Sequence, residues 1–319
     1  MNVLVTGTAG FIGSHVAAAL MKRGEHVTGL DNFDDHYDPA RKRANVARLM
    51  SNPHFTLHEA DVRNTEGMKR ICNAGKFDGV IHLAAMTGGH YSVEHGPLYA
   101  DINVHGTVNM LEAARLAGIP HFVFASTSSV YGRTGLIPFR EDDPLGHPLA
   151  PYPATKIAGE VMGHAYHNLF GISFTALRIF SVYGPCGRPD MMSYHIVDCI
   201  VHERKFPLYE GGEMYRDWTY ISDIVSGVLS ALDRRMGYQA INLGRGEPVR
   251  MSNFVQLVER MVQKQAWTTT LPAPPSEIPI TYADVTKARD LLDYRPTVSV
   301  AEGMAHFWEW YQSEILQCE

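Results

Sequence analysis

A phenol and an ammonium stand four positions apart in "YPATK", where only Pro153, Ala154 and Thr155 separate Tyr152 from Lys156. On a helix that spacing puts both side chains on one face, so the lysine charge sits near the phenol and lowers its pKa from the usual value of about 10. A phenolate near neutral pH is a general base that can take a proton from an alcohol. Upstream, "FASTSSVYG" reads as a strand running into hydroxyls, with Thr127 twenty-five positions before Tyr152. Those hydroxyls could share the proton. Alone, Tyr and Lys at this spacing more often mark a solvated helix face, so the pair needs support from the rest of the chain.

The support comes first from "VLVTGTAGFIGSHVAAALMKRG", which sets Gly7, Gly10 and Gly13 between a strand and an amphipathic helix. Missing side chains there let the backbone turn sharply and approach a pyrophosphate, with the helix N-terminus facing the phosphates. The next strand, "HVTGLD", ends at Asp31, eighteen positions after Gly13. That is close to the spacing of about 20 at which a carboxylate grips the adenosine ribose hydroxyls. A carboxylate there repels a 2'-phosphate, which favours NAD over NADP. The plainer alternative is that Asp31 caps a turn. Asp34, Asp35 and Asp38 read as an exposed acidic loop and not as metal ligands. His164 and His167 share a helix face but lack a third ligand at suitable spacing, so no metal is assigned.

The elements that would position these groups alternate along the chain. Short apolar runs ("NVLVT", "HVTGL", "FTLHEAD", "DGVIHLA", "HFVFAS", "FTALRIF") are separated by helix-period segments at 12–23, 39–50, 65–73, about 99–117 and 152–169. This is the βαβ rhythm of a doubly wound parallel sheet covered on both faces, an α/β fold of Rossmann type. After Phe180 the rhythm changes to short strands such as "DWTYI" and "AINLG", helices near 190–203, 221–234, 252–265 and 300–315, and the Pro-rich loop "LPAPPSEIP". Residues 1–180 are therefore expected to form the dinucleotide-binding domain. Residues 181–319 are expected to form mainly a smaller mixed α/β substrate-binding lobe, with some segments returning to the first sheet.

A chain of 319 residues with 45% hydrophobic content can bury a full core. Its formal charge of -6 offers no basic face to a nucleic-acid backbone. Cys72, Cys186, Cys199 and Cys318 are scattered without a C-x-x-C pairing and read as free thiols of a reducing compartment. No apolar run reaches the roughly 20 residues a membrane helix needs, and no signal-peptide pattern precedes "NVLVT". A cytoplasmic protein without a membrane partner is the expectation.

Taken together, "TGTAGFIG", Asp31-Asn32, Asp61-Val62, "HLAA" (82–85), Asn103, "STSSVYG", Tyr152 with Lys156, "LRIFSVYGP" and "RDWTYISD" resemble the extended short-chain dehydrogenase/reductase family over nearly the whole chain. Within it the chain is most similar to the NAD-dependent nucleotide-sugar 4-epimerases. The resemblance implies Thr127, Tyr152 and Lys156 as catalytic, Tyr152 as base and Lys156 as the residue that orients the nicotinamide ribose and tunes Tyr152. It implies Gly7, Gly10, Phe11, Ile12, Gly13, Asp31, Asn32, Asp61, Val62, Leu83, Ala84, Ala85 and Asn103, with Tyr152 and Lys156, around NAD. Thr87, His90, Thr127, Ser128, Ser129, Ser181, Arg188, Arg216 and Glu277 are implied around a nucleotide sugar. It also implies a homodimer built from the helices near 99–117 and 152–169.

Related dehydratases carry an Asp-Glu pair just after the catalytic Thr; here Ser128 and Ser129 stand there, which argues against elimination of water. "DNFDDHYDPARKRA" and "VYGPCGRPDM" look most like UDP-glucuronate 4-epimerases. Arg188 would then face the sugar carboxylate, where a planar, permanently charged fork suits an anion. Two departures stand against this: His90 occupies a position where those enzymes tend to have Arg, and Pro274 falls where the diphosphate-binding loop usually has Arg. The alternatives are an epimerase of a neutral nucleotide sugar, a UDP-glucuronate decarboxylase and a non-catalytic NAD-binding sensor.

Overall fold

The computed structural model describes residues 1–317, so Cys318, read above as a free thiol, lies outside the described residues. Six strands occupy the first 180 residues: β1 (Asn2–Thr6), β2 (His26–Asp31), β3 (Phe55–Glu59), β4 (Gly79–His82), β5 (His121–Thr127) and β6 (Ser173–Ile179). Beyond them lie β7 (Ser181–Tyr183), β8 (Phe206–Tyr209), β9 (Tyr215–Arg216), β10 (Trp218–Tyr220), β11 (Tyr238–Leu243), β12 (Val249–Arg250) and β13 (Thr268–Leu271). The helices are α1 (Phe11–Lys22), α2 (Pro39–Met50), α3 (Thr65–Gly75), the single turns α4 (Gly89–Ser92) and α5 (Gly96–Tyr99), α6 (Gly106–Leu116) and α7 (Pro151–Phe170). They continue with α8 (Met192–Val201), α9 (Ile221–Leu232), α10 (Met251–Val262), α11 (Thr286–Leu292) and α12 (Val300–Tyr311).

The main sheet has seven parallel strands in the order β11-β6-β5-β4-β1-β2-β3. The chain winds outward from β1 to β3 and then returns to β4 on the other side of β1. That reversal opens a crevice at the carboxyl ends of β1 and β4, the usual ligand position of a doubly wound sheet. Period-2 alternation feeds both faces: Val3 and Val5 pack with Val16, Leu20 and Val228, whereas Leu4 packs with Val80, Met110 and Phe124. Strand β6, "SFTALRI", between β11 and β5, is buried at every position, as a strand covered on both sides must be. Beyond residue 180, β11 joins this sheet beside β6.

Helix α7 lies close on the sheet because Gly159 and Gly163 face Phe124 and Phe174, where any Cβ would overlap the rings. It ends at Gly171, whose φ of 71° is the left-handed stop that glycine adopts without steric cost. Beneath it, the Arg178 guanidinium donates to Glu160 through Nε (3.1 Å) and Nη2 (2.8 Å), with both side chains at most 5% exposed. Ser126 donates to the same carboxylate, Arg178 Nη1 donates to the Tyr131 hydroxyl, and Tyr131 donates to Asn242. One polar network therefore ties β5, β6, α7 and β11 together in the dry interior.

The helix expected over 99–117 is not a single regular one. After α5 the segment Ala100–His105 takes π-helical geometry before α6 begins. The reason is Asn103, whose carboxamide accepts from Met86 N (2.8 Å) and donates to Met86 O (2.9 Å) and to Thr155 (3.0 Å). The wider turn aims that side chain at the loop after β4.

Outside the main sheet, the later residues pair β7 with β10, β9 with β12 and β8 with β13. Their own apolar cluster includes Trp218 stacked on Phe254 at 4.4 Å, with Tyr194, Phe307 and Tyr311 nearby.

Candidate active site

A cavity of about 420 Å³ opens at the carboxyl ends of β1, β2, β4, β5 and β6 and is closed from the other side by residues 180–182, Arg188, residues 190–193, Arg216 and Trp218. Its floor is the glycine turn. Gly7 has φ 70°, and a Cβ on it would sit 2.8 Å from Ala84 N; a Cβ on Gly13 would overlap the Gly7 carbonyl. Strand, turn and helix are thus packed as tightly as backbone permits, and the hollow above them is lined by Gly7, Gly10, Phe11, Ile12 and Gly13. Asp31 closes one side, 7% exposed. Its carboxylate accepts from Ala9 N (3.0 Å) and Phe33 N (2.9 Å), so it both caps a turn and lines the cavity. Burial pushes its pKa up, and the two amides and Lys42 pull it back.

Next to it, Asn32 donates to Asp61 at 3.0 Å, and the Arg63 guanidinium holds the Asp61 carboxyl down to about 2. Val62, Leu83, Ala84 and Ala85 continue the wall. The donor set fits a dinucleotide: a backbone cradle for phosphates, then a buried carboxylate at the end of β2.

The sequence-predicted catalytic side chains meet at the other end of the cavity. Tyr152 and Lys156 project from the first turns of α7, and Thr127 from the last residue of β5. Tyr152 and Thr127 line the same end of the cavity. Burial raises the phenol above its ordinary value, while the Thr127 hydroxyl and the Arg188 charge pull it down. Lys156 Nζ donates to Ala125 O (2.8 Å) and lies over the Phe124 ring, and burial lowers its own pKa to about 7 against the opposing pull of Glu160.

Thr87, Ser181, Arg188 and Arg216 also line the cavity. Arg216, 6% exposed, donates to Ile278 O (2.8 Å) and pairs with Glu277 at 2.6 Å.

Some expected site residues do not reach the wall. Asn103 is buried behind it, spent on Met86 and Thr155. Ser128 and Ser129 lie just behind Thr127, where β5 passes into a 3-10 turn over Ser128–Tyr131; Ser129 N donates to Thr127 Oγ1 (3.2 Å), and Thr127 Oγ1 donates to Ser129 Oγ (3.3 Å). Glu277 stands behind Arg216, which it holds in place. His90 is exposed on α4, outside the cavity, so it makes no substitute for an arginine in it. Pro274 closes a turn, accepting from Glu277 N at 2.9 Å.

Conversely, His36, Tyr37, Lys42, Met86 and Asp190 line the cavity without having been singled out. His36 and Asp190 lie inside the stretches "DNFDDHYDPARKRA" and "GRPDM"; their signal was proximity to residues already chosen.

Residues 3–244 match the NAD dependent epimerase/dehydratase family. The chain belongs to it. Among relatives, it is 37% identical to a UDP-glucuronate 4-epimerase of Thermodesulfobacterium geofontis, covering 98% of this chain and 96% of the relative. It is 39% identical to UDP-glucuronate 4-epimerase 4 of Arabidopsis thaliana over 98% of this chain and 76% of that protein. Among solved structures, the UDP-glucuronic acid 4-epimerase of Bacillus cereus, bound to UDP-glucuronic acid and NAD, superposes with a TM-score of 0.92 at 34% identity, covering 98% of this chain and 99% of that one. This member of the family has the same seven-stranded Rossmann-like fold, and no helix of the described residues is long and apolar enough to cross a membrane.

Proposed function

We propose that the protein is an NAD-dependent UDP-glucuronate 4-epimerase. The observation that carries this reading is a half-buried arginine, Arg188, lining one cavity with Thr127 and Tyr152 and acting on the Tyr152 phenol. A permanent cation beside a general base suits a sugar acid better than a neutral sugar. The relatives and the Bacillus cereus enzyme support it by likeness.

In this reading the glycine turn with Phe11 and Ile12, the Asp31–Asn32 and Asp61–Val62 pairs and Leu83–Ala85 hold NAD, and Lys156 reaches its nicotinamide ribose. The chemistry NAD supplies when bound is reversible acceptance of a hydride from sugar C4, so net redox is zero. Tyr152 takes the proton of the C4 hydroxyl, with Thr127 sharing it, and returns it after the 4-keto sugar has turned over in the cavity. Arg216, braced by Glu277, serves the nucleotide diphosphate; Ser181 and Thr87 serve the sugar side.

A 4-keto hexuronate is a β-keto acid and loses CO2 when its carboxylate C–C bond aligns with the carbonyl π system. Arg188 together with Thr127 holds the carboxylate out of that alignment. Ser129, whose hydroxyl accepts from Thr127 Oγ1 at 3.3 Å, supports that hydroxyl in the role.

The reading also includes a cytoplasmic homodimer. Its support is a set of exposed apolar side chains on α6 and α7, with Leu116 47%, Val161 63% and Leu169 68% exposed. A solution mass equal to one chain of 35.5 kDa would remove the dimer.

NMR of UDP-glucuronate incubated with the purified protein, without added reductant, tests the activity. UDP-galacturonate appears if the reading holds; an unchanged spectrum with bound NAD confirmed moves the substrate to another nucleotide sugar. Arg188→Ala is expected to raise the Michaelis constant for UDP-glucuronate about tenfold more than that for UDP-glucose, as loss of a charged hydrogen bond does. Because Arg188 lowers the Tyr152 pKa, the same variant shifts the rise of kcat/KM to higher pH. Equal effects on both sugars and an unmoved pH profile count against this role.

A further inference from the structure

A guanidinium has two edges that can each take a carboxylate: the side-on edge of Nε and Nη2, and the end-on edge of Nη1 and Nη2. In Arg188 the side-on edge is already filled. Nε donates to Asp190 Oδ1 at 2.9 Å and Nη2 to Oδ2 at 3.0 Å. Among the described residues Nη1 has no hydrogen-bond partner, and both Arg188 and Asp190 line the cavity.

Asp190 also has an imidazole near it, beyond hydrogen-bond distance. His36 Nε2, on the loop between β2 and α2, lies 3.7 Å from Oδ2, and the His36 ring packs on Tyr91 of α4 at 4.7 Å. The clamp itself is the Arg188–Asp190 pair, with the His36 ring beside it. Its charge has a consequence: Asp190 nearly neutralises Arg188, so an incoming anion gains less from net attraction than from a fork whose plane is already set.

We infer that Asp190 is a positioning residue for substrate recognition, clamping the side-on edge of Arg188 so that the end-on edge is presented to the hexuronate carboxylate. This rests on the UDP-glucuronate reading above. An unclamped arginine side chain has several rotatable bonds and must lose that freedom each time it binds, whereas a clamped one has already lost it. Because the carboxylate's orientation decides whether the keto acid keeps its CO2, the clamp also guards the intermediate. When it leaks, the bond from C5 to the carboxyl carbon breaks, CO2 departs, and the electron pair left on C5 is protonated. The C4 hydride remains with the NAD that accepted it, so the product is a UDP-4-ketopentose.

The test is Asp190→Asn, which keeps the shape and one acceptor but cannot take both donors. Asp190 has a 38% exposed side chain, and the substitution is isosteric, so the fold is retained. Calorimetric binding of UDP-glucuronate and of UDP-glucose to the NAD-loaded wild type and variant is measured, alongside 13CO2 released from 6-13C UDP-glucuronate.

The expected result is about tenfold weaker binding of UDP-glucuronate, UDP-glucose binding unchanged within twofold, and a larger share of turnovers ending in 13CO2. Equal weakening for both sugars would reduce Asp190 to a structural role. Tighter binding of UDP-glucuronate would make it a competing anion. Either result overturns the inference while wild-type epimerisation leaves the functional reading standing. A wild type that neither binds nor converts UDP-glucuronate overturns both.

Discussion

Tyr152→Phe lowers the rate of UDP-glucuronate epimerisation about 10³-fold, the middle of the range for loss of a general acid-base group. The substitution removes one oxygen from a residue whose ring is already packed. Tyr99 meets that ring edge-on at 6.1 Å, and the backbone amide of Tyr152 still donates to Ser92 Oγ at 3.1 Å. Cofactor and fold are therefore retained, and NAD content on purification and the thermal midpoint stay near wild-type values. The pH profile adds a second readout. Burial raises the phenol while Thr127 and Arg188 lower it, so wild-type kcat/KM climbs with pH as the phenol loses its proton. That rise is absent from the variant. A rate within tenfold of wild type, or an unchanged rise, would assign the proton to another group.

Arg178→Met destabilises the protein by about 3–5 kcal/mol, because it leaves the Glu160 carboxylate buried without its cation. Glu160 is 3% exposed and receives two of its hydrogen bonds from that one guanidinium. Only the Ser126 hydroxyl remains to it. The double variant Arg178→Met with Glu160→Leu recovers most of the loss, since removing both charges removes the desolvation penalty with them. Urea denaturation of the single and double variants measures this. A single variant that loses less than about 1 kcal/mol, the scale of an exposed pair, would show that water reaches the site. Lys156 lies one helical turn before Glu160 and is steadied by its charge, so the single variant also tests how far this network supports the catalytic end of α7.

The sheet was legible because its strands carry uninterrupted apolar runs and its first turn carries three glycines in strand-turn-helix context. The π-helical stretch at Ala100–His105 was not, since its cause is a contact between Asn103 and Met86, seventeen residues away, that no local pattern records. The same limit applied at the site. Tyr152, Lys156 and Thr127 were found by spacing, but the partner of the lysine is the carbonyl of Ala125 and the charge acting on the phenol comes from Arg188. The two-way contact of Ser129 with Thr127, through its amide and its hydroxyl, comes from the tight turn in which β5 ends and is not readable from the order of the residues. Asp190 was overlooked because its bond is to another side chain, and His36 because it reaches the cavity only by the three-dimensional approach of loops about 150 residues apart in sequence.

The return of β11 to the main sheet bears on how a ribosome delivers this chain. Strand β6 is complete at Ile179, but its neighbour β11 is complete only at Leu243, so 64 further residues (243 minus 179) must be made before the sheet can close on that side. At roughly 10 residues per second this is about 6 s. For that time the nascent chain presents an apolar strand with an unpaired edge, the arrangement most prone to pairing with a neighbouring polypeptide. Chaperone dependence during synthesis should therefore concentrate in the interval between these two strands, well after the glycine turn has emerged.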